Sequence, residues 1–352
     1  FPTFYWNNVS GATAYNIQID QNYQFSSPDV DNSSIAESLF TSNISLADGN
    51  WYWRIRSGNG AWSNFSSYQN FRVDATPPLT TTLLTPTYGQ WMTTREPYFS
   101  WQSVTDPGNS GLSKYYIQID TDSLFANPIY LSDSTEFTDY FPPTELGDNQ
   151  RYYWRIRSRD NAGNYSAYAA SFFGIDNTAP SSPINFMISP SSWTNNSNFS
   201  LQWTNPVDLS GIAKGLYKIG NLPISNFDTT GHVDPNSPQT ISVTNNGPNR
   251  ISFWLQDSMG YTNYSTYRQD TMYFDNIPPS GCTANSPGTS GNLVFSVSWT
   301  SGSDNASGPA SIFDVNFKDG ESGSWTQWLD HFGGLASQFT GAHNHIYYFE
   351  AR

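Results

Sequence analysis

The sequence predicts an all-β chain of four tandem β-sandwiches, the first and last of them incomplete. Three observations predict it. A strand ending in tryptophan recurs about every hundred residues, at Trp6, Trp101, Trp203 and Trp299. The segments around these positions alternate apolar and polar residues, the period of a half-buried strand. Aromatics make up 16% of the chain and charged residues only 12%, with lysine confined to Lys114, Lys214, Lys218 and Lys318. That balance suits short strands joined by polar turns and not amphipathic helices, which draw on Ala, Leu, Glu and Lys.

The elements recur in a fixed order. The tryptophan strand reads "FPTFYW", "EPYFSW", "NFSLQW" and "VFSVSW". The next strand reads "AYNIQID" and "KYYIQID" in copies one and two, weakens to "IFDVNFKDG" in copy four and is weakest as "GLYKIGN" in copy three. A third strand appears as "WYWRIRS", "YYWRIRS", "NRISFWLQDS" and "YYFEAR". In it Trp51, Trp53 and Ile55 share one face, as do Tyr152, Trp154 and Ile156, and Ile251, Phe253 and Leu255. Arg54 and Arg56 point the other way. Proline-rich breaks follow at "DATPP", "DNTAP" and "DNIPP", where proline ends strand pairing and stiffens the junction. The domain limits expected from these breaks are 1–77, 78–178, 179–277 and 278–352.

Aligned on copy two, copy one lacks the counterpart of "LTTTLLTPTYGQWMTT", its first strand. Copy four stops opposite Arg157, before its last strand. Either the chain is a stretch of a longer repeat protein, or neighbouring subunits supply the missing strands. The first is favoured, because strand donation is a specialised mode.

With its tryptophan strand, "Y-x-I-Q-I-D" strand, "Y-Y-W-R-I-R-S-R-D-N-A-G-N" strand and loop, and "D-N-T-A-P" linker, the chain resembles tandem fibronectin type III or immunoglobulin-like repeats of bacterial or archaeal cell-surface proteins. The resemblance covers essentially the whole chain. It implies the sandwich fold and a location outside the cytoplasm, and says little of function, because this fold is reused for many tasks. Copy three departs most, with a long "GNLPISNFDTTGHVDPNSPQ" stretch.

The strongest constellation is a set of aspartates. Asp106, Asp208 and Asp304 follow the tryptophan strand by five residues, Asp160 and Asp257 lie in the loop after the arginine-bearing strand, and Asp74, Asp176 and Asp275 lie in the linkers. In this topology both loops lie at the pole where the linker enters, so three carboxylates would converge at a domain junction. Calcium, which takes several oxygens from flexible loops, is the candidate cofactor. The competing reading is ordinary turn aspartates that bond to nearby backbone amides.

Other features carry less. Arg54 and Arg56 precede "AWSNFSSY", and "WSNFS" is similar to the Trp-Ser-x-Trp-Ser element of cytokine-receptor sandwiches; the expectation is a stacked outer face that stiffens the sheet. Trp62, Trp91, Trp193, Trp325 and Trp328 sit in turn-rich contexts without the spacing of a sugar-binding platform. His343 and His345, placed on one face of a strand, would need a third ligand to hold zinc, and His331 is the only histidine near them in sequence. No nucleophile-elbow, metalloprotease or phosphate-loop signature is present, and no active site is read.

A formal charge of −14 repels phosphate backbones and disfavours nucleic acid as a partner. The single cysteine, Cys282, excludes an intramolecular disulfide framework, and no apolar run reaches membrane-spanning length. The function read from the sequence is that of an extracellular structural protein, a repeat segment of a surface layer, sheath, filament or adhesin stalk, partnered by copies of itself or neighbouring surface proteins. The alternative is a carbohydrate-binding or other ligand-binding accessory module of a larger secreted protein, with glycans as partners.

Overall fold

The structure, a computed structural model, describes residues 1–126, 130–308 and 311–352. It divides into two compact units, Phe1–Asn177 and Thr178–Arg352. Among the described residues the regular structure is β-strand apart from one 3₁₀ turn at Tyr264–Thr266, and no helix is long and apolar enough to cross a membrane.

The first unit begins with β1 (Thr3–Tyr5), β2 (Ala14–Asp20), β3 (Val30–Ile35), β4 (Leu39–Thr41), β5 (Gly49–Gly58) and β6 (Gln69–Val73). These form a four-stranded antiparallel sheet, β3-β2-β5-β6, and a two-stranded sheet, β1-β4. Inner-facing side chains of both sheets, Phe4, Tyr15, Ile17, Ile19 and Trp51, make one core. Next come β7 (Leu83–Thr85), β8 (Gln90–Met92), β9 (Phe99–Trp101), β10 (Leu112–Asp120), β11 (Leu131–Thr135), β12 (Asp139–Tyr140), β13 (Gln150–Asp160) and β14 (Ala169–Ile175). They build sheets β11-β10-β13-β14-β8 and β12-β9-β7 around a second core.

The second sandwich has two strands without a counterpart in the first, β8 in its large sheet and β7 in its small one. Trp53 and Ile55 accordingly stay half-buried, while Trp154 and Ile156 at the same positions are fully buried. The tryptophan that recurs through the sequence packs against the first tyrosine of the next strand in both: Trp6–Tyr15 and Trp101–Tyr115 each have ring centroids 5.4 Å apart and planes at 62°.

The second unit carries β15 (Ile184–Ser189), β16 (Asn198–Thr204), β17 (Ile212–Ile219), β18 (Gly231–Val233), β19 (Gln239–Ser242), β20 (Gly247–Asp257) and β21 (Arg268–Phe274), paired as β15-β16-β19 and β18-β17-β20-β21. Part of the long stretch by which copy three departs is thus a regular strand: β18 pairs with β17 as β11 does with β10. What weakened the sequence signal here is a swap of size across the sheet. Gly215 stands where Tyr115 stands in β10, and a Cβ on it would lie 2.4 Å from the Phe253 ring. Phe253 fills the tyrosine's place and packs on Trp203 with centroids 4.7 Å apart.

The last strands are β22 (Ala284–Asn285), β23 (Val294–Trp299), β24 (Phe313–Asp319), β25 (Thr326–Phe332), β26 (Ala336–Thr340) and β27 (Tyr347–Ala351), in sheets β22-β23-β26 and β25-β24-β27. Their core holds Val297, Trp299, Phe313, Val315 and Phe339, with Cys282 packed against it as a free thiol. Among the described residues no strand pairs with β27 in the way that β21 pairs with β20.

Candidate functional site

The linker after β6 is fastened from both sides. Asp48, in the loop before β5, accepts hydrogen bonds from the Ala75 amide at 2.7 Å and from the Thr76 hydroxyl. Asp74 accepts from the Thr76 amide at 3.1 Å and from the Ser110 amide at 2.9 Å, so a loop of the second sandwich holds the end of the first. The Asn164 side-chain amide donates to the Asp74 carbonyl at 3.0 Å, and the Leu79 amide donates to the Thr105 carbonyl.

Asp106 and Asp160 come to the same place. Carboxylate oxygens of Asp74, Asp106 and Asp160, one from each, all lie within 4.8 Å of one another. Asp106 accepts from the Gly108 and Gly111 amides and from the Ser110 hydroxyl. Asp160 is buried and accepts from the Gly163 and Asn164 amides and the Asn164 side chain. Gly108 makes the approach possible, because a Cβ there would fall 1.8 Å from Asp74 Oδ1. Burial pushes the Asp74 carboxyl up, but hydrogen bonds from Ser110 and Thr76 outweigh it and hold it below the ordinary range. Three hard oxygen donors converging from linker and loops are a donor set of the kind that calcium takes.

In the second unit Asp275 and Asp304 repeat part of this pattern. Asp275 accepts from the Ile277 amide at 3.0 Å and the Ser307 amide at 2.9 Å, as Asp74 does from Thr76 and Ser110. Ser307 and Ile277 hold its carboxyl below the ordinary range against the opposing effect of burial. Asp304 accepts from the Ala306 and Gly308 amides. Asp208 accepts from Ser210 and Gly211, and buried Asp257 from the Tyr261 amide. Asp176 is buried at the end of the first unit.

The linker fastening has members that sequence reasoning missed. Asp48, Asp148 and Asn246 each accept from a linker amide, at Ala75, Asn177 and Asn276, lying 27, 29 and 30 residues further on. The signal was an Asp or Asn just ahead of the arginine-bearing strand, 27 to 30 residues before the linker amide it holds. It is easily passed over, because such residues are ordinary in turns.

On the outer face the arginines interleave with rings as expected. Arg54 lies between Phe25 and Phe65, 4.2 Å from each centroid, and Arg56 between Phe65 and Trp62 at 4.4 and 5.1 Å. In the second sandwich Arg155 lies between Phe125 and Tyr168, at 4.1 and 4.2 Å, and Arg157 between Tyr168 and Tyr165 at 4.8 and 4.0 Å. The glutamines of "Y-x-I-Q-I-D" explain themselves here: Gln18 and Gln118 pair across the sheet with Arg54 and Arg155 and accept from their guanidinium groups.

Two expectations need correction. His343 and His345 lie in a turn and not on a strand: β26 ends at Thr340, and the Ala342 amide folds back onto the Tyr347 hydroxyl at 3.0 Å. His345 pairs with Asp319 at 2.7 Å, while His331 is grouped with Asp314 and Asp330, the latter raising its pKa. The tryptophans read as turn residues include Trp91 on β8, which packs on Gly174, and Trp328 on β25, which packs on Trp299 and Phe339. Trp62 and Trp325 stack on Arg56 and Lys318, and Trp193 on Tyr273.

A model of the family described as the Rha78A-like, N-terminal immunoglobulin domain matches residues 88–175, which span most of the second sandwich. The crystal structure of the chicken CNTN1 FN1-FN3 domains aligns over 75% of this chain and 90% of its own, at 13% identity and a TM-score of 0.35. No curated protein matches the sequence. The chain is built of tandem immunoglobulin- or fibronectin type III-like repeats, as its motifs implied.

Proposed function

We propose that this chain is a repeat segment of an extracellular structural protein, of the surface-layer, sheath, filament or adhesin-stalk kind, whose sandwiches act as spacers of fixed length. In this reading calcium stiffens the junction between the first two, held on Asp74, Asp106 and Asp160. The observation that carries it is the approach of these three carboxylates to within 4.8 Å while the linker they fix is tied to both sandwiches. Two unit charges at that separation repel by roughly 3–4 kcal/mol at an effective dielectric constant of about 20. The surrounding amides offset part of this, and a divalent cation would offset the rest. The ion's role is mechanical: it would cross-link linker and loops and so restrict bending. No catalytic role is proposed.

The test is thermal unfolding with calcium and with chelator, alongside electron microscopy of the purified protein. A midpoint raised by calcium and extended or assembled particles support the reading. An unchanged midpoint removes calcium from it, and dispersed globular monomers remove the structural role.

A further inference from the structure

We infer that the third sandwich binds an acidic saccharide, a short glycan containing a uronate residue, in a cleft on its outer face. This goes beyond the spacer reading and does not depend on it. The outer face of β17 and β20 is unlike those of the first two sandwiches. Trp254 stands where Arg157 stands in β13 and is fully buried, with Leu216 beside it across the sheet. The segment 220–229 lies over this face, and between them is a cavity of about 430 Å³ lined by Lys214, Leu216, Asn226, Phe227, Gln256 and Thr262, among others. That is large enough for one or two sugar rings.

The lining supplies the contacts that a uronate needs. Phe227 is 94% exposed at the rim, offering a ring face to the apolar side of a pyranose. It is not on a loose loop: the Tyr264 amide donates to Asn226 Oδ1 at 2.8 Å, and Asp228 ties the Ile224 amide to Lys218. The bond from Tyr264 leaves the Asn226 NH₂ group to donate to a hydroxyl. Gln256 donates to the Gly260 carbonyl at 2.9 Å, leaving its own oxygen as an acceptor. Lys214 is one of four lysines in a chain of net charge −14, and it has no carboxylate partner among the described residues. An ammonium placed so is matched by a carboxylate on the ligand.

The experiment is retention of the full chain on a printed array of galacturonate, glucuronate and neutral glucose oligosaccharides. Uronate oligomers should be retained, at least tenfold less by Phe227→Ala and by Lys214→Gln, with Trp62→Ala unchanged as the control for an exposed aromatic elsewhere. Circular dichroism of each variant checks that it is folded, which the exposure of Phe227 favours. Retention of neutral oligomers alone, no retention at all, or retention indifferent to both cleft substitutions would overturn the inference.

Discussion

The Arg54 guanidinium lies 4.2 Å from the centroid of the Phe25 ring, and Phe25 adopts a φ of 53° to bring its ring there. Phe125 repeats the relationship with Arg155 at 4.1 Å, again with a φ of 53°. A bulky side chain in the left-handed region costs about 1–2 kcal/mol. Both turns accept this cost because the ring closes one end of a stack in which Arg54, Arg56, Arg155 and Arg157 each lie between two aromatics.

Removing one rung should therefore loosen the whole outer face. Arg155→Ala loses contact with Phe125 and Tyr168 and the bond to Gln118, and a destabilisation of about 1–2 kcal/mol is expected. Arg155→Lys should recover less than half of it, because a compact ammonium lacks the flat surface and fork of a guanidinium. Denaturant unfolding of the three proteins checks the order.

Gly108 is where the junction is most easily broken without touching a charge. Its replacement by Ala puts a methyl group onto Asp74 Oδ1 and must displace that carboxylate from its bonds to Ser110 and Thr76. A loss of about 1–3 kcal/mol is expected, together with loss of any calcium-dependent rise in melting temperature. Asp160→Asn should also abolish the calcium response, while keeping an acceptor for the Gly163 amide. Calorimetry with calcium and with chelator compares both variants with the parent.

The pH dependence follows from Asp74 and Asp275. Each has its folded pKa depressed, so each contributes stability that is fully present above the unfolded carboxyl value, about 4, and lost as pH falls through the folded value. Melting temperature should fall as pH is lowered from about 4. Asp74→Asn should flatten part of that fall, and an unaltered profile in this variant would contradict the assignment.

The size swap in the third sandwich predicts non-additivity. Gly215→Ala alone should destabilise by about 1–3 kcal/mol through its clash with the Phe253 ring, and Phe253→Ile alone by a similar amount through the cavity left on Trp203. Together they should cost less than the sum, because the smaller side chain makes room for the added methyl. A double-mutant cycle on unfolding midpoints measures the coupling.

The period-two alternation and the recurring tryptophan were enough to place the strands and to predict which face each would bury, because burial of alternate side chains is a property of the strand itself. Ile251, Phe253 and Leu255 are fully buried as that alternation requires, but Ser252 and Trp254 on the opposite face are buried as well, which the alternation did not foretell. Arginine stacking was legible for the same reason, since Arg54 and Arg56 had to share the face opposite the core.

The junction was legible only in part. Asp74, Asp106 and Asp160 could be named as candidates from their places in linker and loops, but their separation depends on how far the chain folds back across a pole, and on Gly108 having no side chain in the way. Asp48 looked like any turn residue, since its role exists only when its loop meets a linker 27 residues on. The cleft on the third sandwich was hidden for a like reason: nothing in the sequence says that Asn226, Phe227 and Thr229 pack beside Lys214 and Leu216. The sequence by itself determined strands, faces and repeats, which rest on neighbours a few residues apart. Only the tertiary structure decided which distant polar groups meet, because loops carry no periodicity to say where they fold.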